Sequence, residues 1–300
     1  LTAVSSSDGG ITWTATFTPT AGIISATNVI SLANTGVADL AGNTGSGISS
    51  SGNYAIDTAP PTATIVVADT ALKIGESSLV TITFDQAVTG FTNVDLTIAN
   101  GTLPSVSSGD GGITWTATFT PTASITDTTN LITLDNTGVQ AAATGNVGSG
   151  TTDSNKYAIE TVRPTATIVV TDTALRIGET SLVTITFSEA VSGFTNADLT
   201  IANGTLTAVS SSDGGITWTA TFTPTVGVSD SSNVITLNNT GVTDVAGNTG
   251  SGTTNSGNYT IDTVLPTATI VVADNALSVG ETSLVTITFS EAVSGFSNAD

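Results

Sequence analysis

ITWTATFTPT stands at Ile11–Thr20, again at Ile113–Thr122 and again at Ile216–Thr225. In the third copy Ile216, Trp218, Ala220 and Phe222 alternate with Thr217, Thr219, Thr221 and Thr223. A period of two puts the apolar residues on one face of a β-strand and the threonines on the other. A second segment, PTATIVV, recurs at Pro61–Val67, Pro164–Val170 and Pro266–Val272. Both segments repeat every 102 or 103 residues, and the one-residue difference lies near Gln140–Gly145. A unit of that length is too long for a solenoid turn and right for an independent β-sandwich domain.

Working outward, the other strands of one unit read by the same alternation. Ala166, Ile168 and Val170 alternate with Thr165, Thr167 and Val169, and Val183, Ile185 and Phe187 with Thr184 and Thr186. Leu199 and Ile201 lead into Asn203-Gly204, a hairpin turn signal. A short strand is expected at 206–209, others at Ile235 and Leu237 and at Tyr259 and Ile261, and a variable loop around 123–130. The expected fold is all-β: tandem Greek-key β-sandwiches of about seven strands each, in a linear array. Trp13, Trp115 and Trp218 are the largest core candidates. Boundaries fall at the proline-containing linkers Asp57–Pro61, Glu160–Pro164 and Asp262–Pro266. They give the back part of one unit (1–58), two whole units (59–161 and 162–263) and the front part of another (264–300). The chain therefore reads as a stretch of a longer tandem protein.

Composition narrows the function. There is no Cys, His or Met, and 24 acidic residues face 4 basic ones for a net charge of −20. Such a surface repels nucleic acid and anionic membranes and attracts cations. No apolar run is long enough to span a membrane as a helix, so direct membrane insertion is not expected. Without His or Cys there is no Ser-His-Asp triad, no cysteine nucleophile and no zinc site of the usual ligands. No unique carboxylate pair marks a glycosidase cleft. Lys73 and Lys156 occupy unrelated positions, so no recurring lysine–asparagine cross-link is expected. The chain is read as not an enzyme.

The order PTATIVV (164–170), SLVTITFSEAVSGF (181–194), GGITWTATFTPT (214–225), DVAGN (244–248) and NYTIDTVLP (258–266) resembles the bacterial immunoglobulin-like repeats of large surface adhesins and biofilm-associated stalk proteins. The resemblance covers the whole chain. It implies an extracellular, bacterial-surface spacer that extends a distal or anchoring module. It also implies calcium near domain junctions as a stiffener. One departure stands out: Ala141–Ala143 and Thr144 replace the aspartate-containing turn that reads ADLAGN at 38–43 and TDVAGN at 243–248.

Sandwich topology sorts the acids by end. Asp69, Glu76, Asp172 and Glu179, with the linker acids Asp57, Glu160 and Asp262, are expected at the C-terminal end of a unit. Glu189, Asp198, Asp213 and Asp244 are expected at the N-terminal end. In a head-to-tail array these ends meet, and clustered carboxylates suit Ca²⁺, which takes six to eight oxygen ligands at about 2.3–2.6 Å. No EF-hand loop is present. The competing reading is structural: Asp213-Gly214-Gly215 as a turn, Asp172 and Glu179 as loop caps, Asp262 as an acceptor for linker backbone, and the remainder as solvated surface. The expected partners are neighbouring repeats of the same chain and, alternatively, other copies assembling laterally into a filament or surface layer. Another alternative is repeats that bind a partner themselves, through loops or by strand addition.

Overall fold

The computed structural model describes all 300 residues, with no α-helix. It divides into two compact units, Leu1–Val162 and Arg163–Asp300.

In the first unit, residues 59–161 close a sandwich. One sheet runs Ala63–Val67, Ser78–Phe84, Thr114–Pro121, with the short strands Gly101–Thr102 and Ser107–Ser108 on the far edge of Thr114–Pro121. Opposite it, Ala71–Leu72 lies parallel to Tyr157–Glu160, which pairs with Thr126–Asn130. The same face continues with Ile132–Asp135 between Leu96–Ile98 and Thr151–Asp153. The first strand thus starts on one sheet and ends on the other, and the remaining order is that of a seven-stranded immunoglobulin-like sandwich.

Alternation explains the register. Strand Ser78–Phe84 buries Ser78, Val80, Ile82 and Phe84 and turns Leu79, Thr81 and Thr83 outward. Across the seam Trp115 faces Ile82 and Ala117 faces Val80, while Thr114 and Thr116 face Thr83 and Thr81. Apolar pairs fill the core, and the threonine pairs cover the outer face, where β-branched side chains suit a pleated surface.

At the centre of the core sit Tyr157 and Phe119, 1% and 0% exposed, with rings edge to face at 5.2 Å. Trp115 is only partly buried. It packs edge-on against Phe91 at 5.2 Å, and its indole N–H donates to the carbonyl of Gly112. The tryptophan therefore closes the rim of the core, because it stands at the start of its strand beside the Gly-Gly turn. Segment 126–130, expected as a loop, is a strand whose ladder breaks between Asp127 and Asn130. The amide of the buried Asn130 fills that break: it donates to the carbonyls of Asp127 and Tyr157 and accepts from Asn100 Nδ2 at 2.7 Å.

The second unit repeats this design in residues 162–263. Ala166–Val170, Ser181–Phe187 and Thr217–Pro224 form one sheet with Gly204–Leu206 and Ser210–Ser211 at its edge. Ala174–Arg176, Tyr259–Asp262 and Ser229–Asn233 continue into Leu199–Ile201, Ile235–Asn238 and Thr253–Asn255 opposite. The short strand expected at 206–209 is instead split between Gly204–Leu206 and Ser210–Ser211. Tyr259, Phe222, Trp218 and Asn233 take the places of Tyr157, Phe119, Trp115 and Asn130.

Candidate functional site

The acids fall into three structural groups. The first makes turns. Asp213 accepts from the Ser211 hydroxyl and from the backbone N–H groups of Ile216 and Thr217 at 2.8–3.2 Å. These donors, the Thr217 backbone first, hold its carboxyl down at about 2, and Asp8 and Asp110 repeat the arrangement and the shift. Asp198 accepts from the Thr195 N–H at 2.8 Å and completes a capping box on the short 3₁₀ turn Asn196–Asp198. Its carboxylate also lies against Gly241, where a β-carbon would meet Oδ1.

A second group shapes the crossing between sheets. Asp69 and Asp172 accept from the N–H groups of Ala71 and Ala174, each at 3.0 Å, where the first strand leaves one sheet for the other. Glu76 and Glu179 sit further along, accepting from the N–H groups of Lys73 and Arg176. Lys73 Nζ and Glu76 also form an exposed ion pair at 3.7 Å. Asp69 and Asp172 thus lie at the sheet crossing, and the glutamates lie in the turn beyond it.

The third group gathers at the ends of the sandwich. Glu160 accepts from the Thr126 hydroxyl at 3.1 Å and the Val162 N–H at 2.9 Å. Asp262 lies opposite Arg176 in the parallel pair and accepts from the Val264 N–H at 3.4 Å. At the opposite end of residues 162–263, Val191 pairs with Asp244, and its N–H donates to Gly215. The loops carrying Glu189, Asp213 and Asp244 are therefore neighbours, as sandwich topology requires. Asp244 is 3% exposed; its oxygens accept from the N–H and side-chain amide of Asn248 at 2.8 and 2.9 Å. A Glu189 carboxylate oxygen lies within 4.8 Å of one on Asp244.

Junctions inside each unit show what such an end meets. In the second unit Asp262, Arg176 and Glu291 line one shallow depression, and Glu291 is the counterpart of Glu189 in the next repeat. In the first unit Asp57 meets the loop of the following repeat at Asn146. That side-chain amide donates to the Asp57 and Ala59 carbonyls at 3.2 and 3.1 Å and to Asp57 Oδ1 at 3.4 Å.

Residues 59–161 differ at both end positions. Ala141 pairs with Val88 as Asp244 pairs with Val191, so Ala141 stands where Asp244 does. Gln86 stands where Glu189 does. The nearby Asp85 is held by the Thr62 N–H and hydroxyl at 3.0 and 2.8 Å. The loss of the aspartate was visible in the turn sequence. The paired loss of the glutamate is carried by the alignment of FDQAV (84–88) with FSEAV (187–191).

Comparison with known proteins places this architecture. The profile of the bacterial Ig-like domain family matches four times in tandem, at residues 1–56, 57–159, 160–261 and 262–300. The chain belongs to the bacterial Ig-like domain family, as four successive repeats. No curated protein matches it. Among solved structures it is similar to the Escherichia coli adhesin FdeC, at 14% identity over 77% of this chain and 73% of that one, with a TM-score of 0.29. It is also similar to the Yersinia pseudotuberculosis adhesin InvE, at 19% identity over 67% and 58% of the two chains, with a TM-score of 0.28. The N-terminal part of the bacterial S-layer protein SbsC matches at 14% identity over 66% and 44%, with a TM-score of 0.22. The chain spans less than two thirds of the InvE and SbsC structures. No helix in it is long and apolar enough to cross a membrane.

Proposed function

We propose that these repeats are a non-catalytic spacer in an extracellular bacterial surface protein of the adhesin type. The observation that carries this reading is the repetition of one self-contained sandwich with the same registers in residues 59–161 and 162–263. A catalytic or receptor-binding site would make one repeat unlike its neighbours. Here the differences lie in turns, in strand positions such as TDTTN against SDSSN, and in the acids at the repeat ends, while strands Ser78–Phe84 and Thr114–Pro121 recur unchanged as Ser181–Phe187 and Thr217–Pro224. Force spectroscopy of the chain tests it: a spacer resists load repeat by repeat, and a chain that yields as soon as it is pulled is not one.

The spacer reading extends to calcium. Glu189 and Asp244 form a close carboxylate pair, and Asp244 is buried. Like charges this near disfavour ionisation unless a cation joins them, and carboxylate oxygens with neighbouring carbonyls are hard ligands of the kind Ca²⁺ takes. The simultaneous replacement of both acids by Gln86 and Ala141 in the preceding repeat fits two residues that serve one ion. Thermal unfolding of residues 59–263 with calcium and with chelator tests this. Calcium should raise the melting temperature of residues 162–263, and Asp244→Ala should remove that rise. A rise that survives Asp244→Ala assigns the ion elsewhere.

A further inference from the structure

The two outer faces of each sandwich differ in a way that folding does not require. The larger sheet of residues 59–161 is built on the strands ATIVV (63–67), SLVTITF (78–84) and TWTATFTP (114–121). Each of these sequences occurs three times without a change: the first again at 166–170 and 268–272, the second at 181–187 and 283–289, the third at 12–19 and 217–224. Core packing explains the inward residues. It does not explain the outward ones, which line up across the strands as Thr64–Thr83–Thr114 and Val66–Thr81–Thr116. The opposite sheet is the control. Its inward Leu134, Tyr157 and Ile159 recur in every copy, but its outward residues drift. Thr126 is Ser229 and Ile24 in the other copies, Asp135 is Asn238 and Ala33, and Asp153 is Asn255 and Ser50.

Two of the unchanging outward residues are large and apolar. Val66 and Leu79 are 53% and 51% exposed, and their counterparts Val169 and Leu182 are 57% and 50% exposed. All four lie inside complete repeats whose sheets are fully formed. The charge differs between the faces as well. The strands of the larger sheet contain no Asp, Glu, Lys or Arg, and Asp85 at its margin is replaced by Ser188 in the next repeat. The strands of the smaller sheet in residues 59–161 carry Asp127, Asp135, Asp153 and Glu160.

We propose that the outer face of the larger sheet binds the same face of a second copy of this chain. Charge selects the occupant. A chain of net charge −20 repels its copy wherever carboxylates meet, and this face brings two copies together without apposing any. Its hydroxyl and methyl groups, with Val66 and Leu79 among them, are complementary to themselves. The aromatic residues of these strands belong to the core side, so no ring is offered for a sugar to stack on. The contact is isologous and closes as a pair. Seven residues at about 3.3 Å and three strands about 4.8 Å apart give a patch on the order of 330 Å² per repeat. A stable interface takes about 800 Å² from each partner. One repeat therefore pairs weakly, and repeats in tandem add through effective concentration. This accounts for a face kept the same from repeat to repeat.

The test uses residues 59–263, which hold two repeats with a separate core in each and stand without the flanking segments. Sedimentation equilibrium should show a monomer–dimer equilibrium that added salt strengthens, because screening relieves the repulsion between acids. Leu79→Glu with Leu182→Glu should weaken the dimer by about tenfold or more, since like charges are then apposed. Thr97→Glu with Thr200→Glu, the same charge change on the opposite face, should leave the dimer in place. If the first pair lowers the melting temperature, Leu79→Thr with Leu182→Thr replaces it and should weaken the dimer in the same direction. A monomer at all concentrations overturns the proposal, and a monomer retained on an insoluble neutral glucan through Leu79 and Leu182 assigns the face to polysaccharide instead. Dimers that the leucine variants leave intact, or that both glutamate pairs weaken equally, also overturn it.

Discussion

The side-chain amide of Asn146 donates to the backbone carbonyl of Asp57 at 3.2 Å, and so ties a loop of one repeat to the linker that precedes it. The same amide reaches the Ala59 carbonyl. Residues 57–59 lead into Pro60 and Pro61, which stiffen the chain but offer no N–H donor.

Asn146→Ala should therefore loosen the linker without unfolding the sandwich. Removal of hydrogen bonds of this kind costs about 1 kcal/mol. Amide exchange should quicken at Thr58 and Ala59 and stay unchanged at core residues such as Val80. Equal exchange at Thr58 and Ala59 in both proteins would mean the contact holds nothing in place.

The glycine after each hairpin asparagine should resist substitution for a reason unrelated to the turn. A β-carbon on Gly204 would lie 2.3 Å from the ring of Phe222 and 2.7 Å from the Thr223 carbonyl oxygen. Gly101 faces Phe119 and Thr120 in the same way. Gly204→Ala should destabilise the repeat by about 1–3 kcal/mol, the usual penalty for overpacking, measured by urea unfolding of residues 162–263. An unchanged midpoint would show that the Phe222 ring can step aside.

Truncation should separate centre from rim. Phe222 is fully buried against Tyr259, so Phe222→Ala should cost about 3–5 kcal/mol. Trp218 is partly exposed, and Trp218→Ala should cost less. Equal losses in chemical unfolding would place the tryptophan at the centre of the core.

Acid titration should expose the turn aspartates. Asp110 and Asp213 are held at about 2, well below the ordinary 3.8, mainly by backbone N–H groups of Thr114 and Thr217. A carboxyl with a depressed folded value stabilises the fold above its unfolded value. That contribution is complete above about pH 4 to 5 and is lost as pH falls toward 2. Carbon NMR of the Asp213 carboxyl should give a midpoint near 2, and Asp110→Ala with Asp213→Ala should flatten the acid limb of the stability curve. A midpoint near 3.8 would mean the turn does not hold its carboxylate.

Much of this fold was legible in the sequence, because strand alternation reports burial directly. Val183, Ile185 and Phe187 read as inward and are inward. The same logic overstated Trp115 and Trp218, since parity gives the face of a strand and not the depth along it. Asn130 and Asn233 were hidden for a different reason. Segments TDTTN and SDSSN look like polar loops, and only the broken ladder shows an asparagine acting as a backbone partner. The acids were harder still. Asp213 in a turn and Asp244 beside Glu189 have similar local spelling, and their roles separate only when loops distant in sequence meet.

The account's central claim is a spacer built of repeats that carry load one by one, and pulling single molecules of the chain by its ends tests it most directly. The account predicts two separate major unfolding events for the two complete repeats, each releasing roughly 30–35 nm of chain, as about 100 residues at up to 3.6 Å apiece require. A single concerted event, or extension with no resisting step, would contradict it.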